Sequence, residues 1–182
     1  MDDKMEVLKE IAEREYRFFE RLQPTNPECK REKTFKFMRI SRFYPYSLET
    51  LLSYLDDLIE AEKEGRNPLY EKYACMEGRM GIPEDKRGLI ERIVQIEKSW
   101  IEELHGKYPH AIENKPEFQR YLACELSTFS VQTLERYLED VERAKEAGRN
   151  LALESYLYTF SRLGYSSLEE VEEKFKKRAL QK

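Results

Sequence analysis

The stretch Phe118 to Gly164 repeats Phe35 to Gly81 at a spacing of 83 residues, with fifteen identities over 47 positions and no gap. Tyr54, Leu55 and Asp57 recur as Tyr137, Leu138 and Asp140, and Gly65-Arg66-Asn67 recurs as Gly148-Arg149-Asn150. An internal duplication of this length constrains architecture before any motif is sought, because each copy must present the same apolar faces.

The periodicity inside each copy is helical. Leu8, Ile11, Ala12, Phe18, Phe19 and Leu22 share one face of a first helix over about residues 4–22, which Pro24 and Pro27 end. A polar loop, 24–33, carries Cys29, and a short helix follows from Thr34 to Phe43 until Pro45. Ser47 caps a third helix that Gly65 terminates. Asn67 caps a fourth, with Pro68 in the first position, where a missing N–H is harmless. The second copy repeats the scheme. Its first helix, about residues 84–105, matches the opening helix at an offset of 82, so that Ile11, Glu15 and Leu22 become Ile93, Glu97 and Leu104. Pro116 starts the sixth helix, and Ser130 and Asn150 cap the next two. Ser167 with Glu170 reads as a capping box for a last amphipathic helix. The expected fold is all-α: two tandem four-helix repeats, 4–81 and 84–164, fused about a pseudo-twofold into one domain spanning 1–182, plus a C-terminal helix over 167–180. One unit alone could hardly cover its own apolar faces.

Composition narrows the class. The chain has 37% charged residues of mixed sign and a net charge of −4, which argues against a general binder of nucleic acid or anionic membranes. No apolar run approaches the ~18 residues of a membrane span, and the N-terminus has no apolar signal core. The three cysteines, Cys29, Cys75 and Cys124, are odd in number and widely spaced. They suggest neither a metal pattern nor a disulfide framework, and read as the cysteines of a reducing cytoplasm. Cys75 and Cys124 read as helix-packing residues.

A few ionisable residues break the apolar pattern. Glu15 sits at the centre of the ~120° apolar arc of the first helix, and Glu97 at the centre of the duplicated one. Arg42 shares a face with Phe35, Met38 and Phe43, with Arg39 beside it. The repeat counterpart of Arg42 is Glu125, on the face of Phe118, Tyr121, Leu122 and Phe129. An isolated buried carboxylate is too costly to persist, so each must be paired, protonated, hydrated or metal-bound. Two readings stay open. In one, Glu15 or Glu97 closes an ion pair with Arg39 or Arg42 and tyrosine hydroxyls complete a purely structural network. In the other, Glu15, Arg39, Arg42, Glu97, Glu125 and Tyr73 line a polar pocket between the repeats that takes a small polar or anionic ligand or a peptide. Metal is disfavoured and no cofactor is implied: carboxylate-bridged dimetal bundles use Glu-x-x-His, and the only histidines, His105 and His110, lie near a helix end and in a loop. Cys29 is a candidate catalytic nucleophile, since Lys30, Arg31, Lys33 and a following helix N-terminus favour a thiolate. With Arg39 and a buried glutamate it would make an enzyme; an incidental loop thiol is the plainer reading.

Cys29-(x)4-Thr34-Phe35-(x)2-Met38-Arg39-x-Ser41, Asp57-(x)3-Ala61-(x)3-Gly65-Arg66-Asn67, Glu71-Lys72-Tyr73-Ala74, and Tyr121-Leu122-(x)2-Glu125-Leu126-x-Thr128-Phe129-Ser130 together resemble the bacterial domain-of-unknown-function family 4125 over nearly the whole chain. That pattern has glutamine where this chain has Lys30 and Arg42. The family name implies no activity; the resemblance implies a protein-partner role, as an interaction subunit of a nucleotidyltransferase-like protein.

Overall fold

The computed structural model describes residues 2–22 and 29–182, with the backbone alone at Cys29 and Lys30. Among the described residues there are nine α-helices and no strand. In chain order they are α1 (Asp3–Leu22), α2 (Cys29–Phe43), α3 (Leu48–Lys63), α4 (Pro68–Met76), α5 (Glu84–Lys107), α6 (Phe118–Leu126), α7 (Val131–Glu146), α8 (Leu151–Arg162) and α9 (Leu168–Leu180).

The caps explain most of the boundaries. Ser47 and Ser130 accept the N–H groups of Thr50 and Thr133. Asn67 and Asn150 do the same for α4 and α8. At the two Gly-Arg-Asn corners, Gly65 (φ 70°) and Gly148 (φ 71°) take the left-handed conformation. The following arginine N–H then reaches back to Ala61 or Ala144 at 2.8 Å, which closes each helix with a Schellman turn. At α9, Ser167 accepts from Glu170 N–H, but the Glu170 carboxylate accepts from Ser166 N–H, one residue before the cap.

Two expectations need correction. The second helix starts at Cys29 rather than Thr34, so the segment 29–33 is helical and not loop. An i,i+4 pair, Glu32 with Lys36 at 2.6 Å, supports that extra turn. Cys75 and Cys124 are not two separate packing residues: a disulfide joins them. Their spacing of 49 residues gave no hint of contact; the packing of α4 on α6 creates it. Disulfides belong to oxidising settings, so cysteine usage no longer argues for a reducing compartment. No helix among the described residues is long and apolar enough to cross a membrane.

Helix α1 packs along α2 and α3, and α5 along α6 and α7. Helix α3 lies against α7, α4 against α6, and α2 against α8. The α3–α7 contact exchanges polar groups at both ends: Ser47 N–H donates to Asp140 and Ser130 N–H donates to Asp57, each at 2.9 Å. One core cluster runs from Leu8 to Leu151 and includes Phe18, Tyr54, Trp100, Phe129 and Tyr137. A smaller cluster, with Leu104 and Ile112, seats α9 through Leu168 and Val171. There the Glu172 carboxylate accepts the backbone N–H groups of His110 and Ala111 and meets His110 Nδ1 at 2.7 Å.

A buried charged cluster between the helices

The amphipathic phase of α1 drives Glu15 into the core, where it is fully buried. Its carboxylate is matched on both oxygens. Arg39 of α2 donates Nε to Oε1 at 3.1 Å and Nη2 to Oε2 at 2.7 Å, and Tyr54 of α3 donates its hydroxyl to Oε2 at 2.8 Å. Arg39 Nη2 also lies 2.7 Å from Oε1 of Glu125. Glu125, from α6, then receives Arg42 Nε on Oε2 at 3.1 Å and Lys72 Nζ on Oε1 at 3.2 Å. Lys72, from α4, also donates to the Tyr121 hydroxyl at 2.6 Å.

Burial alone would push the Glu125 carboxyl upward. Arg39, Lys72 and Arg42 overcome that effect and hold it well below the usual carboxylate range, so it is ionised. Burial likewise works against the charge on Lys72, and the Glu125 carboxylate outweighs it, so the ammonium is held. The Arg42 guanidinium lies over the rings of Phe43, Tyr46 and Tyr137, with Cζ 5.0, 5.8 and 5.6 Å from their centroids. Arg42 Nη2 is buried without an aligned hydrogen-bond partner but lies 3.1 Å from Glu125 Oε2, and the surrounding rings attract the cation as a whole.

Glu97, on the buried face of α5, has different company. The Tyr46 hydroxyl lies 3.1 Å from Oε1, the Tyr137 hydroxyl 2.8 Å from Oε2, and the two hydroxyls 2.7 Å from each other. Both phenols donate to the carboxylate, and the Tyr46 hydroxyl is shared between Glu97 Oε1 and the Tyr137 oxygen. Burial raises the Glu97 carboxyl above its ordinary value, against the opposing pull of Arg42 and the tyrosines. Burial also raises both phenols, which therefore keep their protons.

The cluster borders two cavities. The larger, about 410 Å3, is lined by Glu15, Arg39, Arg42, Lys72, Tyr73 and Glu125, with aromatic walls from Phe19, Phe35, Tyr54 and Tyr121. The smaller, about 180 Å3, is lined by Glu97, Arg42, Tyr46, Phe118, Tyr121, Leu122, Ser155 and Tyr156 among others. So Glu15, Arg39, Arg42, Glu125 and Tyr73 meet at one cavity, while Glu97 borders the neighbouring one across Arg42 and Tyr121. Lys72 is a cluster member that the sequence reading did not select. The signal was present: Lys72 stands three residues from both Leu69 and Cys75 on the buried side of a nine-residue helix. The Cys29 side chain lies outside the described residues. Among the described residues no group of three or more His, Cys, Asp or Glu side chains is placed to hold a metal ion.

The fold and this cluster define an all-helical protein with a buried, mixed-charge pocket. The chain belongs to the family described as protein of unknown function (DUF4125), whose model matches residues 5–173. No curated protein and no solved structure matches the chain.

Proposed function

We propose that the protein binds a small anionic ligand in the 410 Å3 pocket between α1, α2, α4 and α6. The observation that carries this reading is a surplus of positive charge. Three cations, Arg39, Arg42 and Lys72, face two carboxylates, Glu15 and Glu125, in the lining of this cavity, and Glu97 borders the neighbouring one. A buried unbalanced cation is costly, and an incoming anion removes the cost.

The duplication supplies an internal control. Read across the repeat, the positions of Arg39 and Lys72 are Leu122 and Ser155 in the second copy. Glu97 is buried there against tyrosine hydroxyls without those cations, so burying a glutamate at this helix position does not by itself demand them. We also propose that 4–81 and 84–164 are two copies related by an approximate twofold within one domain, with 167–180 docked on it. The exchanged Ser47–Asp140 and Ser130–Asp57 bonds support this, as do the matching Tyr54–Glu15 and Tyr137–Glu97 contacts, each 2.8 Å.

The test is thermal unfolding of the wild type and of Lys72→Met with acetate, benzoate, sulfate and phosphate, each set against a neutral analogue or an ionic-strength control. A ligand that binds only the folded state raises stability by RT ln(1 + [L]/Kd). The reading expects at least one anion to stabilise the wild type and to lose that effect in Lys72→Met. Equal response of both proteins to every anion contradicts it.

A further inference from the structure

We infer that the ligand presents one carboxylate group on a flat apolar body, as an arylcarboxylate does; this rests on the anion-binding reading above.

Charge selects against the obvious competitor. The surplus around the pocket is one positive charge, while a phosphate monoester carries about −1.5 to −2 near neutral pH. The excess negative charge would sit beside Glu15 and Glu125, whose carboxylates are already in place. A single carboxylate balances the surplus and no more.

The donor count accommodates the carboxylate. An ammonium has three hydrogens and a guanidinium five, on three nitrogens. Lys72 spends one hydrogen on Tyr121 and one on Glu125, which leaves one. Arg39 commits Nε and Nη2 to Glu15 and Glu125, and Nη1 has no hydrogen-bond partner among the described residues. With Arg42, whose Nη2 has no aligned hydrogen-bond partner, three side chains of the lining retain donors, which is enough for the two oxygens of a carboxylate.

The walls set the rest of the molecule. Phe19 and Phe35 stack with centroids 5.0 Å apart and planes 26° apart, and Tyr73 and Tyr121 stand in the same lining. A planar ring packs against such faces in offset or edge-on contact. The cavity, about 410 Å3, lies toward the small end of the usual ~300–1,000 Å3 range for ligand pockets. In the smaller cavity Phe118 and Tyr156 repeat Phe35 and Tyr73, but Leu122 and Ser155 stand in place of the cations. That cavity has aromatic walls but only Arg42 as a cation, set against Glu97, so it has no surplus of positive charge and one carboxylate per chain is expected.

Calorimetric titration of the full chain with benzoate, phenyl phosphate and benzamide decides the matter. The expected result is one benzoate per chain, with phenyl phosphate and benzamide each at least tenfold weaker. Lys72→Met should weaken benzoate at least tenfold. Should that variant not fold, Tyr73→Ala, at a half-exposed position, serves instead: it should weaken benzoate while leaving acetate unchanged. Phenyl phosphate binding as tightly as benzoate, with the loss in Lys72→Met retained, overturns the carboxylate and leaves the anion site standing. Benzamide binding as tightly as benzoate overturns the carboxylate as well. Failure of both anions to bind the wild type, or equal binding by Lys72→Met, removes the anion site and this inference with it.

Discussion

Arg42 and Glu125 stand 83 residues apart, the spacing that aligns Phe35–Gly81 with Phe118–Gly164, and their side chains meet, with Arg42 Nε donating to Glu125 Oε2 at 3.1 Å. Two identical charges at that meeting point would repel in a poorly hydrated site, so an ion pair there requires the copies to differ.

Removing one partner should therefore be far worse than exchanging both. Glu125→Gln leaves Arg39, Arg42 and Lys72 around a neutral amide, and the expected loss is about 3–5 kcal/mol in urea unfolding. Arg42→Glu combined with Glu125→Arg should recover part of it, whereas Arg42→Glu alone should not. A loss below about 1 kcal/mol for Glu125→Gln would mean that the cluster is not electrostatically coupled.

Glu97→Gln should behave in the opposite way. If the acid is already protonated, a glutamine amide can donate to Tyr46 and accept from Tyr137 in its place. Stability at pH 7 should stay within about 1 kcal/mol of wild type or rise, since protonating a raised carboxyl at that pH no longer carries a penalty. A loss as large as that of Glu125→Gln would show Glu97 to be a paired anion.

The pH dependence separates the two acids by sign. Glu125 has its folded pKa depressed below 4.5, so its stabilisation is present above pH 4.5 and fades as the pH falls through the folded value. Glu97 has its folded pKa raised above 4.5, so its contribution is complete below pH 4.5 and declines as the pH rises from there toward the folded value. Above pH 4.5, Glu97→Gln should therefore flatten the stability profile, while Glu125→Gln should flatten it only below pH 4.5. Chemical unfolding at half-unit intervals would read both effects.

The sequence made the helices, the Gly-Arg-Asn corners and the inward phase of Glu15 and Glu97 legible, because each depends on spacing within one helix or on one capping residue. It narrowed the partners of Glu15 and Glu97 to Arg39, Arg42 and tyrosine hydroxyls without choosing among them. Helix phase says that Arg42 and Glu125 point inward, not that they meet, and nothing local distinguishes Glu15, held by Arg39, from Glu97, held by two tyrosines. Lys72 escaped notice because a single lysine on a short helix reads as solvated, and only the approach of α6 buries it. The Cys75–Cys124 bond was illegible for a related reason: across the repeat these positions hold Tyr158 and Ser41, so the duplication offered no second example.

That disulfide ties α4 to α6 one turn beyond Lys72 and Tyr121. For a separation of 49 residues the loop-entropy estimate is about 4 kcal/mol, and engineered cases usually deliver less. Cys75→Ala with Cys124→Ala should lower stability by about 2–4 kcal/mol. Unchanged stability under oxidising conditions would argue that the bond does not constrain the unfolded chain.

The most direct test of the account is urea unfolding of the wild type and Lys72→Met, with and without benzoate at about a hundred times its dissociation constant. If the pocket holds surplus positive charge for an anion, Lys72→Met without ligand should be at least as stable as wild type, because binding residues are commonly retained at the expense of stability. Benzoate should then add about 2.7 kcal/mol to the wild type and nothing to the variant. A Lys72→Met protein as damaged as Glu125→Gln, with no anion-dependent stabilisation of the wild type, would show instead that the cluster is a closed structural network.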